Sequence, residues 1–173
     1  MYLYFGPETF WIDTVYSVLF GFAFIWSLTV INHSSFAISK RISAFILMLT
    51  WLVGHWFFQW FERVEPVILV EQYYLTMIYL YGAAAVSIFT LHRIIGRPLS
   101  PVLLIIQSAL CLICVINYLI HLDIVVFAKT TPSWLWSLYS VGVNVLTCII
   151  LAALFTSDEW FYRQLTSWRY RDE

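Results

Sequence analysis

Residues 100–122 read SPVLLIIQSALCLICVINYLIHL, a stretch that contains no Asp, Glu, Lys or Arg. A helix rises 1.5 Å per residue, so about 20 residues cross the ~30 Å hydrocarbon core of a bilayer. Ser100 followed by Pro101 is a favourable helix start, because serine caps the first turn and proline there needs no hydrogen-bond acceptor. The stretch therefore predicts a transmembrane helix that begins at Pro101.

The composition of the whole chain agrees with a membrane protein. Of its 173 residues 62% are apolar and only 11% are charged, whereas about 25% of the residues of a soluble domain are charged. A soluble fold with so few charged residues could not bury this share of apolar side chains away from water. We therefore exclude soluble enzymes, nucleic-acid-binding proteins, disordered chains and disulfide-stabilised secreted modules.

Four further apolar runs have the length of a membrane span. They predict an all-α, polytopic membrane helix bundle that forms a single transmembrane domain over residues 1–173. The five predicted spans are residues 10–32, 43–61, 73–91, 101–122 and 134–155.

The basic residues predict the orientation of the bundle. Five crossings place seven of the nine Lys and Arg residues on one side, and the positive-inside rule makes that side cytoplasmic. The N-terminus is then outside and the C-terminus inside, in a plasma or inner membrane. Acidic residues on the outer side predict an acidic mouth that would concentrate cations there. The alternative is that their number only reflects the positive-inside bias. They are Asp13, Glu62, Glu65, Glu71 and Asp123.

The C-terminal tail, residues 156–173, predicts a short helix on the cytoplasmic membrane surface. Thr156 and Glu159 have the spacing of a capping box, and aromatic and basic residues follow at helical spacing. The alternative is a simple continuation of the fifth span into water. The residues expected at the membrane surface are Trp160, Arg163, Trp168, Arg169 and Arg171.

Polar residues within the spans lie on single helix faces. At about 100° per residue, one stripe follows the fourth span from Gln107 to His121, and another follows the fifth span around Asn144. Such residues either pack and hydrogen-bond between helices or line a polar path between spans two, four and five. The residues of the predicted path are His55, Gln59, Gln107, Asn117, His121 and Asn144.

Two redox sites are disfavoured by the same helix geometry. His55 and His121 are the candidate haem ligands, but their predicted depths differ, whereas two axial histidines must lie at one depth. Cys111-x-x-Cys114 lies near mid-membrane, where a thiolate is disfavoured and no basic residue activates it. Cys148 also lies within a span. We expect no cofactor and no metal site.

The chain shows no nucleophile–base pair, phosphate loop or metal-ligand spacing, so we expect a non-enzymatic integral membrane protein. Its surroundings would be the lipid bilayer and either further copies of the chain or a larger membrane complex. One small bundle encloses little space, so a channel-like or membrane-perturbing function would need an oligomer. The alternatives are an accessory subunit of a larger complex and a haem- or quinone-binding redox subunit.

Overall fold

The computed structural model describes the backbone of residues 7–29, 35–64, 66–96, 100–128 and 134–156. Within these ranges all regular structure is helical, which confirms the predicted all-α class. There are five α-helices and one π-helical turn, Leu122–Val126, which continues the fourth helix. The α-helices are α1 (Pro7–Thr29), α2 (Ser35–Val64), α3 (Pro66–Ile95), α4 (Pro101–His121) and α5 (Trp134–Phe155).

Three of these helices are long and apolar enough to cross a membrane. They are α3 over Gln72–Ile95, α4 with its π-helical turn over Pro101–Val126, and α5 over Trp134–Phe155. The described part of α1 adds a shorter apolar stretch, Thr14–Thr29. That α1 and α2 also cross the membrane stays a prediction, as does the orientation.

The predicted start of α4 is confirmed in atomic detail. Ser100 has an extended backbone, with φ −75° and ψ 155°, and its Oγ accepts a hydrogen bond from the Leu103 amide at 3.1 Å. Pro101 occupies the first helical position, where its missing N–H leaves no bond unmade. The predicted range of α5, residues 134–155, is also confirmed.

The junction between α2 and α3 differs from the predicted spans, which end at residue 61 and resume at residue 73. Both helices extend into this interval and only residue 65 separates them. Glu62 and Arg63 continue α2 because glutamate and arginine are good helix formers. Pro66 then starts α3, since proline is tolerated in the first turn.

The helices pack in chain order as antiparallel neighbours, and a smaller α1–α5 contact closes the arrangement. All five contribute to one buried apolar cluster. Among its fully buried side chains are Phe20 of α1, Leu47 of α2, Ile88 of α3, Leu110 of α4 and Ile150 of α5. The space between the helices is thus filled with apolar side chains.

Trp51 of α2 joins three helices through ring contacts. Its ring stacks on Phe20 with centroids 5.4 Å apart and an interplanar angle of 19°. Tyr16 lies 5.2 Å away and Tyr81 of α3 lies 6.2 Å away in an edge contact. Aromatic pairs at these separations add attraction beyond simple burial, so this cluster fixes how α1 and α3 sit against α2.

We call the end of the bundle at which α2 and α4 begin and α1, α3 and α5 end the basic end. The charged side chains that the structure describes there are Lys40, Arg41 and Arg93, all of them basic.

Candidate functional site

Asn144, a residue of the predicted path, lies at the contact between α5 and α1. Its Oδ1 accepts a hydrogen bond from the Tyr16 hydroxyl at 2.9 Å, and its Nδ2 donates to the Ser140 carbonyl at 2.6 Å. The same Tyr16 oxygen lies 3.9 Å from the sulfur of Cys148. The Asn144 amide thus joins α1 to α5 through Oδ1 and bonds within α5 through Nδ2.

Gln107, the second such residue, lies at the contact between α3 and α4. Its Nε2 donates to the Ala85 carbonyl of α3 at 3.0 Å. Two turns further along α4, the Cys114 thiol donates to the Ile78 carbonyl at 3.7 Å. Both acceptors are backbone carbonyls of α3, so the two bonds join α4 to α3. This is what the packing interpretation expects.

The remaining path residues lie on α2 and α4. His55 and Gln59 of α2 contact each other, with Nε2 atoms 3.1 Å apart. Asn117 of α4 is buried and donates from Nδ2 to the Ile113 carbonyl at 2.8 Å. His121 lies one turn beyond Asn117 and is half-buried.

The structure therefore distributes the six predicted path residues over several places instead of one lumen. Asn144 joins α1 to α5, Gln107 joins α3 to α4, and His55 pairs with Gln59 on α2. Apolar and aromatic side chains occupy the middle of the bundle between them. A conducting path through these residues stays a prediction.

The structure describes only some of the residues predicted for a metal-containing site or for the acidic mouth. No group of three or more His, Cys, Asp or Glu side chains is arranged to hold a metal in the described part of the chain. Asp123 is buried at 2% exposure, and its place in an acidic mouth stays a prediction. The side chains of Asp13, Glu62, Glu65 and Glu71 lie outside the described residues.

The predicted surface helix of the tail also lies outside the described residues, apart from its first residue. The Thr156 hydroxyl donates to the Ala152 carbonyl at 2.7 Å, which places this residue at the end of α5. The expected surface residues Trp160, Arg163, Trp168, Arg169 and Arg171 are not described.

A group of buried polar residues at the basic end was not predicted as a site. Its members, each at most 2% exposed, are Ser39, Ser43, His92 and Ser100. Ser43 donates to the Ser39 carbonyl at 2.9 Å, and Ser100 caps α4. The spacing of four between Ser39 and Ser43, which puts both on one helix face, is the signal that could have found them.

His92 contributes a buried ring nitrogen to this end. Its Nδ1 lies 2.7 Å from the Ile88 carbonyl, and a carbonyl only accepts, so Nδ1 carries the hydrogen of this contact. In the neutral ring Nε2 is then an acceptor. This nitrogen is buried and has no hydrogen-bond partner among the described residues.

The basic side chains of this end bind the ends of neighbouring helices. Lys40 Nζ donates to the Thr156 carbonyl just after α5, and Arg41 Nε donates to the Ser27 carbonyl in the last turn of α1 at 3.0 Å. The last carbonyls of a helix lack intrahelical partners and attract positive charge. Lys40 and Arg41 therefore fasten α1 and α5 to the start of α2.

No protein-family model, no curated protein and no solved structure matches the chain.

We predict a small effect for Tyr16→Phe, which removes the hydroxyl bound to Asn144 but keeps the ring on Trp51. Interhelical hydrogen bonds in membranes contribute about 0.6 kcal/mol on average, so the free energy of unfolding should fall by about that amount. Titration with a denaturing detergent measures it. Tyr118→Phe, at an exposed position of α4, is the control and should change nothing. A loss above about 2 kcal/mol would contradict the assignment of this bond to helix packing.

Proposed function

We propose that the protein is an integral membrane protein that works as a subunit of an oligomer, in which α3 packs against α3 of a second copy. The observation that carries the proposal is the side of α3 turned away from α2 and α4. We call it the outer α3 face, and its exposed residues are Tyr79, Ala83, Val86, Ser87 and Thr90.

This face has the composition of a helix contact within a membrane. Lipid tails are as apolar as leucine, so helices associate there through close packing and hydrogen bonds, which small and hydroxyl-bearing residues favour. Ala83 and Ser87 are four residues apart, and a Cβ added to Gly82 beside them would meet nothing within 4 Å. Tyr79 is 73% exposed, so its hydroxyl is available to a neighbouring helix.

A second copy fits this face better than a charged partner would. A parallel two-fold pair places Ala83 opposite Ala83 at one depth, and none of the five residues that define the face is charged. The buried apolar cluster to which all five helices contribute supports assembly as the role, because in the described part of the chain it occupies the middle of the bundle.

The test is the mass of the protein in nanodiscs and mild detergent, where one chain weighs 20.3 kDa. We expect a multiple of this mass for the natural chain. Ala83→Phe should give single chains, because a phenyl ring at the centre of the face keeps the helices apart. Val18→Phe, at an exposed position of α1, is the matched control and should leave the mass unchanged.

Two results would count against the proposal. A natural chain that is a single copy in both media overturns the homo-oligomer and leaves the accessory-subunit alternative. An oligomer that survives Ala83→Phe, with the unfolding midpoint unchanged, excludes the outer α3 face as the contact.

A further inference from the structure

We infer that an anionic phospholipid binds on the outside of the bundle, in a groove between α3 and α4. We call it the α3–α4 groove. Its α3 side consists of Gly82, Phe89 and Arg93, and its α4 side of Leu104 and Cys111. The lipid phosphate lies at Arg93, and one acyl chain follows the groove as far as Gly82. Binding there does not require the oligomer proposed above.

Two hydrogen bonds between α4 and α3 determine which residues of the two helices lie level. Gln107 donates to the Ala85 carbonyl, and Cys114 donates to the Ile78 carbonyl. The two bonds are seven residues apart on each helix, and α3 and α4 run in opposite directions. One antiparallel register therefore holds along the middle of this helix pair.

The same register defines the walls of the groove. It brings Cys111 level with Gly82, and Leu104 level with Phe89, to within one residue. Cys111, Leu104 and Phe89 are all exposed, and the seven-residue spacing puts each pair of wall residues on one helix face. A Cβ added to Gly82 would meet nothing within 4 Å. The missing side chain thus leaves open space between exposed apolar neighbours.

Arg93 supplies the charge at the end of the groove. Its guanidinium carbon lies 5.5 Å from the centre of the Phe89 ring, a cation–π contact that uses the face of the group and leaves its N–H edges to donate. The guanidinium makes no ion pair or hydrogen bond within the described part of the chain. The last carbonyls of α3 repel an anion, so phosphate binding depends on this one side chain.

The length of the groove fits one leaflet of a bilayer. Gly82 and Arg93 are eleven residues apart, which is about 16 Å along a helix and close to half of the ~30 Å hydrocarbon core. The candidate span of α3 ends at Ile95, so Arg93 lies at the level of the headgroups. An acyl chain that starts beneath a phosphate at Arg93 therefore reaches Gly82 near mid-membrane.

Charge favours an anionic lipid over a zwitterionic one. The described charged side chains of the basic end are all basic, and a guanidinium group binds two phosphate oxygens at once. The choline group of phosphatidylcholine would bring a further positive charge to this end, whereas phosphatidate brings none. We therefore take phosphatidate as the probe.

The experiment measures the thermal unfolding midpoint of the full chain in nanodiscs. One preparation contains phosphatidylcholine alone, and a second contains phosphatidate in addition. A third contains phosphatidylcholine with soluble glycerol phosphate at matched ionic strength, which offers the phosphate without acyl chains. Ligands that bind only the folded state raise the midpoint, and we expect a rise of about 3 °C with phosphatidate. Glycerol phosphate should give less than half of that rise.

Four variants test the two parts of the site, each compared with itself in phosphatidylcholine. Arg93→Gln removes the charge and Gly82→Phe fills the groove, so each should lose more than half of the rise. Arg41→Gln removes a base of the same end that contacts α1, and Ala83→Phe adds the same ring one residue away from the groove. Both of these controls should keep the rise.

A photoreactive phosphatidate locates the acyl chain directly. With a diazirine at the end of the chain, irradiation should attach the lipid to the segments around Gly82 and Cys111. It should not label the segment around Cys148, which is an exposed cysteine of α5. Equal labelling around Cys111 and Cys148 would overturn the groove as the site.

The remaining outcomes also decide the question. The site is overturned if phosphatidate gives no rise, or if glycerol phosphate gives an equal one, because the acyl chain then contributes nothing. A loss in Arg41→Gln as large as that in Arg93→Gln overturns it in favour of a diffuse basic surface. Ala83→Phe is expected to abolish the oligomer but to keep the lipid effect, so failure of either proposal is seen separately.

Discussion

Replacing Phe20 by alanine is expected to lower the free energy of unfolding by about 2 to 3 kcal/mol. The Phe20 side chain is fully buried and stacks on Trp51. In a bilayer the transfer of apolar surface to lipid costs little, so the loss comes mainly from packing. Cavities cost about 24 cal/mol per Å³, so an unrelaxed cavity of roughly 100 Å³ costs about 2.4 kcal/mol.

Phe22→Ala is the matched control for this prediction. It removes the same ring two residues away on the same helix, but Phe22 is 55% exposed and leaves no closed cavity. Its effect should stay below about 1 kcal/mol, measured for both variants by titration with a denaturing detergent. Equal losses for the two variants would show that the core around Trp51 is not packed as described.

The apolar runs of the sequence predict helices well but not their ends. For α4 and α5 the predicted and observed starts agree, because Ser100–Pro101 carries a local start signal and Trp134 follows Thr131–Pro132–Ser133. For α2 and α3 the apolar run marks only part of each helix. Charged residues such as Glu62 continue the helix beyond it, since nothing in their backbone preference stops it.

The polar stripes show the limit of periodicity as a guide to the site. Periodicity fixes the angle of a side chain on its own helix, but it does not say which helix lies opposite. The predicted path contains both Gln107 and Asn144, and in the structure they reach Ala85 of α3 and Tyr16 of α1. Which helices are neighbours is decided by packing across the whole bundle.

The buried serines of the basic end were missed for a related reason. Ser39 precedes the predicted span start at residue 43, so the sequence assigns it to the membrane surface. The structure extends α2 to Ser35 and packs this turn against the start of α4. Burial at this point depends on a neighbour that is distant in the chain, which a local pattern does not contain.

The second large effect is expected for Gly142→Leu, which should lower the free energy of unfolding by about 1 to 3 kcal/mol. A Cβ at Gly142 would lie 3.1 Å from Cδ1 of Ile116 on α4, closer than ordinary contacts allow. A leucine also adds atoms beyond Cβ, and these have to push α5 away from α4. The gain in helix propensity, about 0.8 kcal/mol, does not compensate for the overpacking.

Gly21→Leu separates the packing effect from the propensity effect. A Cβ at Gly21 of α1 meets nothing within 4 Å, so this substitution gains propensity without a clash and should leave stability unchanged or raise it. Gly142→Ala should fall between the two, because Ile116 offers only the end of a flexible side chain. Detergent titration of the three variants tests the order. If Gly142→Leu is as stable as Gly21→Leu, α4 and α5 do not approach each other at this glycine.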